Sequence, residues 1–284
     1  MKIESKLSDQ SVYFTELTVK DYKNFLKETY GEEPIQELFM ESVYNLLTKC
    51  LSKPLEFVKN LSAIDLLCLL IDIRINSVGE ICEIMIDTGE PKPTTIQLNM
   101  DWMKEDLLNL NQLMSKTIQA DNILINFGCP SLERFNNTPD EYLSFIKKIV
   151  VKDKFLDVTD NQQAEIVFDS LSPKTSLEII ETYKSIVSLL TDYNFLERYS
   201  IFEQRITFVP SFVTMQWFIK LMFSESLEAF YTTFFHMSYT AHMNAEYLEN
   251  ITVGEYKYFV SCLKKTLAQA NQKDDEQSAA DSGQ

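Results

Sequence analysis

The run Ile64–Ile73 (IDLLCLLIDI) constrains this chain more than any other stretch: apart from Asp65 and Asp72, all of its residues are apolar. It is far shorter than the roughly 20 residues a membrane span needs, and acids punctuate it. A helix that is apolar on every side must be surrounded on every side, so the rest of the chain has to fold around this segment. Ser62 three residues ahead of Asp65 reads as a capping box, and Gly79 in Asn76–Ser77–Val78–Gly79 reads as the stop. Asp65 is then a first-turn acid favoured by the helix dipole. Asp72 and Arg74, two positions apart, point in different directions and are expected to interrupt the apolar cylinder at its rim rather than pair.

Immediately afterwards the period changes. ICEIMID (Ile81–Asp87) alternates, Thr88–Gly89–Glu90–Pro91–Lys92–Pro93 is turn chemistry, and TTIQLNM (Thr94–Met100) alternates again, which predicts a β-hairpin. LMSKTI (Leu113–Ile118) and NILINF (Asn122–Phe127) are further strand candidates, giving a small antiparallel β element at about 80–128. The flanks carry helical spacing. Thr18 with Asp21 caps TVKDYKNFLKETYG, which Gly31 ends; a second helix starts at Pro34 and keeps Ile35, Leu38, Phe39, Val43, Leu46 and Leu47 on three-four spacing. LEFVKN forms a short helix after the Ser52–Lys53–Pro54 break. Helical spacing returns in TPDEYLSFIKKIV, NQQAEIVFDSL and KTSLEIIETYKSIVSLL, the last restarting at Ser172–Pro173. Tyr199–Val213 fits either strand or loop, and the remainder reads as helices as far as Ala270. Beyond it NQKDDEQSAADSGQ has the composition of a disordered acidic tail. The expected fold class is α+β, predominantly α-helical. Its parts are an N-terminal helical region (1–79), a small β element (80–135), a C-terminal helical region (136–270) and the tail (271–284), in one compact unit.

With 45% hydrophobic and 24% charged residues the chain is ordinary for a globular protein, and 19 Phe with 13 Tyr imply a core built heavily of rings. A net charge of −16 argues against nucleic acid as a partner and against docking on an anionic membrane. It favours solubility and complementarity to a basic protein surface. Five cysteines with no short spacing fit a reducing compartment, where they act as small hydrophobes. The polar start MKIESKLSDQSVYF has no apolar h-region, so neither a secretory signal nor a membrane span is expected.

Chemistry-bearing motifs are sparse. Six glycines supply no phosphate-cradling loop, and His236 and His242 stand six apart without a cysteine pair to complete a zinc site. No local signature supports Cys–His catalysis, and 42 acids make chance carboxylate pairs certain, so the pairs read as a solvated face. No catalytic residue, cofactor site or metal site is assigned. Met215, Met222, Met237 and Met243 suit core more than an adaptable surface. FYTTFFHMSY (Phe230–Tyr239) is aromatic on several faces, so it is either wholly buried or offers one face to another protein.

Four phrases, in order, resemble the baseplate hub subunit and hub assembly protein family of T-even-like contractile-tailed bacteriophages. They are DIRINSVGE (Asp72–Glu80) running from helix into hairpin, NILINFGCPSLERF (Asn122–Phe135), IVFDSLSPKTSLEIIETY (Ile166–Tyr183), and the Phe-rich ending Phe218–Leu267. Together they cover about residues 60–270. Many relatives carry cysteine pairs resembling a zinc knuckle ahead of that ending; Tyr199–Met215 has none here, so no metal carries over. Val253–Gly254 also stands where a Trp is expected. The resemblance implies a non-enzymatic binder of hub or tail proteins, acting in the host cytoplasm during infection as an assembly factor, or remaining in the virion as a minor hub subunit. Candidate partner contacts or joint residues are Arg74, Gly79, Phe230, Tyr231, Phe234 and Phe235. The alternative from another class is a cytosolic helical enzyme with an unmotifed carboxylate site, which calls for a deep pocket holding two acids of raised pKa.

Overall fold

In a computed structural model, which describes residues 2–29, 36–86, 94–120, 123–137, 140–151, 154–156, 171–199, 201, 205–223 and 226–281, the chain opens with an antiparallel hairpin. Strands β1 (Ile3–Lys6) and β2 (Ser11–Phe14) pair with Ile3 opposite Phe14. Helices α1 (Val19–Thr29), α2 (Gln36–Leu51), α3 (Leu55–Lys59) and α4 (Ala63–Ser77) follow. Thr18 Oγ1 accepts from the Asp21 amide and donates to the Asp21 carboxylate, so the capping box expected there forms. Ser62 Oγ does the same for α4, accepting from the Asp65 amide at 3.0 Å. On α2 the spacing holds for Phe39, Val43, Leu46 and Leu47, all buried, whereas Leu38 is exposed. Gly31, Pro34 and Ile35 lie outside the described residues.

Helix α4 is the buried axis: every residue from Ala63 to Arg74 is buried. It leads into the hairpin β3 (Ile81–Ile86) and β4 (Thr94–Asn99), paired from Ile81–Asn99 to Ile86–Thr94. The turn expected at 88–93 lies outside the described residues. A 15-residue helix, α5 (Met100–Met114), then interrupts what the sequence suggested was one β element. Asn99 caps it by accepting from the Trp102 amide, and Met103, Leu107, Leu110 and Met114 form its buried stripe against α4. LMSKTI is therefore not a single strand, since Leu113 and Met114 end the helix and only Thr117–Ala120 becomes β5.

Strand β6 (Ile123–Phe127) is followed by the short helices α6 (Leu132–Asn137) and α7 (Glu141–Ser144) and by β7 (Ile146–Val151) and β8 (Lys154–Leu156). Together β5, β6, β7 and β8 form a four-stranded antiparallel meander. Residues 146–151, expected as helix, are strand because Ile149, Val150 and Val151 pair with Ile125, Leu124 and Ile123 of β6. NQQAEIVFDS (161–170) lies outside the described residues.

The remainder is helical: α8 (Pro173–Asp192, capped by Ser172), a 3₁₀ turn at Glu197–Tyr199, α9 (Phe212–Met222), α10 (Leu227–Tyr239), α11 (Ala245–Asn250) and α12 (Val253–Asp281). Of the ambiguous Tyr199–Val213 segment, the described residues are regular only at Tyr199, which closes the 3₁₀ turn, and from Phe212, which opens α9; Ile206 and Phe208 pack in the core without a strand. The acidic tail expected to be disordered is helical in backbone as far as Asp281, its Ala, Gln, Lys and Glu being good helix formers. This half is sewn to the first: Val19 N–H donates to Ile251 O, Val253 N–H to Leu17 O, and α9 packs between α2 and α4. Met215, Met222 and Met237 are core, as their spacing suggested, and four cysteines are buried while Cys262 is exposed. The architecture is α+β and predominantly α-helical, with small antiparallel sheets.

Candidate interaction surface

Asp72 and Arg74 of α4 are not rim groups. Both are buried, and each is answered by a different element. Asp72 accepts from Ser5 Oγ of β1 and from Lys104 Nζ of α5 at 2.6 Å. Two turns further back on the same face, Asp65 accepts from the Ser8 amide at 2.8 Å and from the Ser8 and Ser62 hydroxyls. The two acids clamp the N-terminal hairpin onto the central helix, as buried carboxylates must be paired or hydrogen-bonded.

Arg74, 5% exposed, forms the joint. Its Nε donates to Met222 O at the end of α9 and its Nη2 to Ile81 O at the start of β3, both at 2.8 Å. Cys82 Sγ reaches the neighbouring Leu221 carbonyl at 3.0 Å. Burial pulls the arginine pKa down and pushes the Cys82 thiol up, while each tempers the other's shift. The amides of Val78 and Gly79 both donate to Arg74 O, and Gly79 takes φ +126°. No atom lies within 4 Å of a Cβ built there, so glycine is required by backbone conformation rather than space. Arg74 thus ties α4 to α9 and β3 from inside the core, and Gly79, half-buried, makes the turn into β3.

The aromatic helix α10 splits into two faces. Phe230, 1% exposed, packs edge-on to Tyr22 of α1 with centroids 5.9 Å apart and beside Tyr256 of α12 at 5.8 Å. Phe234 is half-buried, stacked on Phe230 and 5.7 Å beneath Lys23 Nζ. The adjoining, outward face carries Tyr231, Phe235 and Tyr239, at 37%, 57% and 70% exposure, one turn apart, with the Tyr231 ring edge-on to Phe230. Phe235 and Tyr239 stack with centroids 5.2 Å apart and planes 10° from parallel. Of the aromatics singled out from sequence, Phe230 and Phe234 belong to the core side and Tyr231 and Phe235 to the outer ridge. Tyr239, within the same stretch, continues that ridge one turn on from Phe235.

A cleft of about 570 Å³ opens between the β1–β2 turn, the start of α4 and β7, lined by Asp9, Asp65, Arg134, Ser144 and Lys147 among others. Its acids are engaged, Asp9 with Lys147 and Asp65 with the serines. Asp106, whose carboxyl burial raises, lies away from this cleft, beside Trp102, Tyr199 and Arg198.

Fold and surface together define a helix-built protein that presents an aromatic ridge to its surroundings. Residues 1–194 match the family model for the T4 bacteriophage base plate protein, and the chain belongs to that family. It is a T4-like phage baseplate protein. The match ends just after α8, so the Phe-rich ending, including α10, lies beyond it. No curated protein and no solved structure matches the chain. No helix among the described residues is long and apolar enough to cross a membrane.

Proposed function

We propose that this baseplate protein is an assembly factor for the baseplate hub, holding a hub protein's contact surface until the next subunit arrives, without catalysing a reaction. The observation that carries this reading is the outward ridge Tyr231–Phe235–Tyr239 in a chain of this family. Exposed aromatics in register on one helix face are the kind of anchor that dominates protein–protein affinity. The surplus of acids keeps such an apolar face soluble until it is covered. The protein would act in the host cytoplasm during infection, on other hub or tail proteins.

Affinity purification of the tagged chain from infected cells, with mass spectrometry of what accompanies it, tests the reading. Hub or tail proteins in near-stoichiometric amounts support it, and recovery alone or with metabolic proteins rejects it. Mass spectrometry of purified, disassembled virions separates the two forms of the role. Absence from the particle fits an assembly factor; a fixed copy number per tail would make it a minor hub subunit instead.

A further inference from the structure

Resting on the assembly reading, we infer that the α1–α10 face docks an acidic amphipathic segment of the partner protein, whose apolar side chains cover Phe235 and Tyr239 and whose carboxylates meet Lys20 and Lys27.

The charge on α1 is segregated. Asp21, Asn24 and Glu28 line a groove facing Ser42, Asn45 and Lys49 of α2. Lys23 and Lys27 lie against α10 and α11, and Lys20, on the same face of α1, acts on Glu249 of α11. Lys27 Nζ stands 5.7 Å from the Tyr231 ring centroid and Lys23 Nζ 5.7 Å from that of Phe234. Lys23 also pairs with Glu249 of α11, whose carboxyl is held below its ordinary value by Lys23 first, with Lys20 and Lys27 adding to it. Among the described residues, Lys20 and Lys27 have no carboxylate within ion-pair distance. A chain of net charge −16 therefore presents, on the face that carries Tyr231 and Glu249, two lysines with no direct ion pair among the described residues.

An acidic segment gains both attraction to these lysines and steering toward them. An aromatic ridge with α1 lysines over its Tyr231 end and over Phe234 calls for a partner that supplies apolar contact and negative charge together.

The test uses two labelled synthetic helical peptides with identical Leu and Phe at three-four spacing, one carrying Glu and the other Lys at the remaining positions. Binding to the full chain is read by fluorescence anisotropy at low and moderate salt. The acidic peptide is expected to bind at least about tenfold more tightly than the basic one, with the difference shrinking as salt rises. K20E/K27E should abolish or invert that preference, and F235S/Y239S should weaken both peptides. Equal binding of the two peptides, or an acidic preference unchanged in K20E/K27E, overturns the inference. If hub proteins still co-purify with K20E/K27E as with wild type, the docking chemistry fails while the assembly reading stands. If the acidic preference is found but no tail protein co-purifies, the assembly reading fails alone.

Discussion

Arg74 donates from Nε to the carbonyl of Met222 at 2.8 Å, so a side chain in the last turn of α4 caps the end of α9. No carboxylate comes within ion-pair distance of this guanidinium among the described residues. Its charge is met instead by the negative end of a helix dipole and by the Ile81 carbonyl. Arg74→Met leaves both carbonyls without a donor and should cost on the order of 3 kcal/mol, read as a lowered denaturant midpoint. Arg74→Lys should recover little of it, because an ammonium lacks the planar fork that reaches two carbonyls at once. Loss of less than about 0.5 kcal/mol in Arg74→Met would contradict the joint.

The hairpin clamp makes a local claim. Asp72→Asn removes the carboxylate that Lys104 and Ser5 share, leaving a largely buried ammonium unmet. A cost of about 2 kcal/mol is expected, and hydrogen exchange should accelerate first in Ile3–Phe14. Acceleration spread evenly over the chain would show that the clamp is not local.

Asp106 sets a pH dependence. Burial raises its carboxyl pKa, only partly opposed by Arg198 and the Tyr193 hydroxyl. The folded state therefore holds this proton to higher pH than the unfolded chain. Stability from this group is present at low pH and is lost as pH rises from the ordinary 3.8 through the raised folded value. Asp106→Asn, neutral throughout, should gain on wild type across that window in unfolding midpoints measured against pH. A variant that instead falls behind as pH rises would mean the Arg198 pair outweighs burial.

Phe230 and the outer ridge should separate cleanly. Phe230→Ala opens the cluster of Tyr22, Phe223 and Tyr256 and should cost about 3–5 kcal/mol. Phe235→Ser and Tyr239→Ser, on the exposed face, should stay within about 0.5 kcal/mol of wild type in thermal or denaturant unfolding.

Local signals in the sequence carried far where they were short and chemical. Ser62–Asp65, Thr18–Asp21 and Ser172–Pro173 each start a helix, and the β3–β4 hairpin follows from its alternation. Helix α5 escaped notice because β4 runs into it at Met100 with no glycine or proline between, although Met103, Leu107, Leu110 and Met114 carry helical spacing. Ile146–Val151 read as helix because its decisive partners, the residues of β6, are distant in sequence. The same blindness hid the use of Asp72, whose ligands are Ser5 and Lys104. The aromatic helix was visible as a candidate, but which rings face out depends on α1 and α12 packing on its other side.

The most direct test of the central claim is quantitative co-purification from infected cells with wild type and F235S/Y239S side by side. The account predicts near-stoichiometric hub or tail proteins with wild type and their loss from a variant that is equally stable and equally expressed. Recovery of the same partners by both proteins, or of none by either, would contradict it.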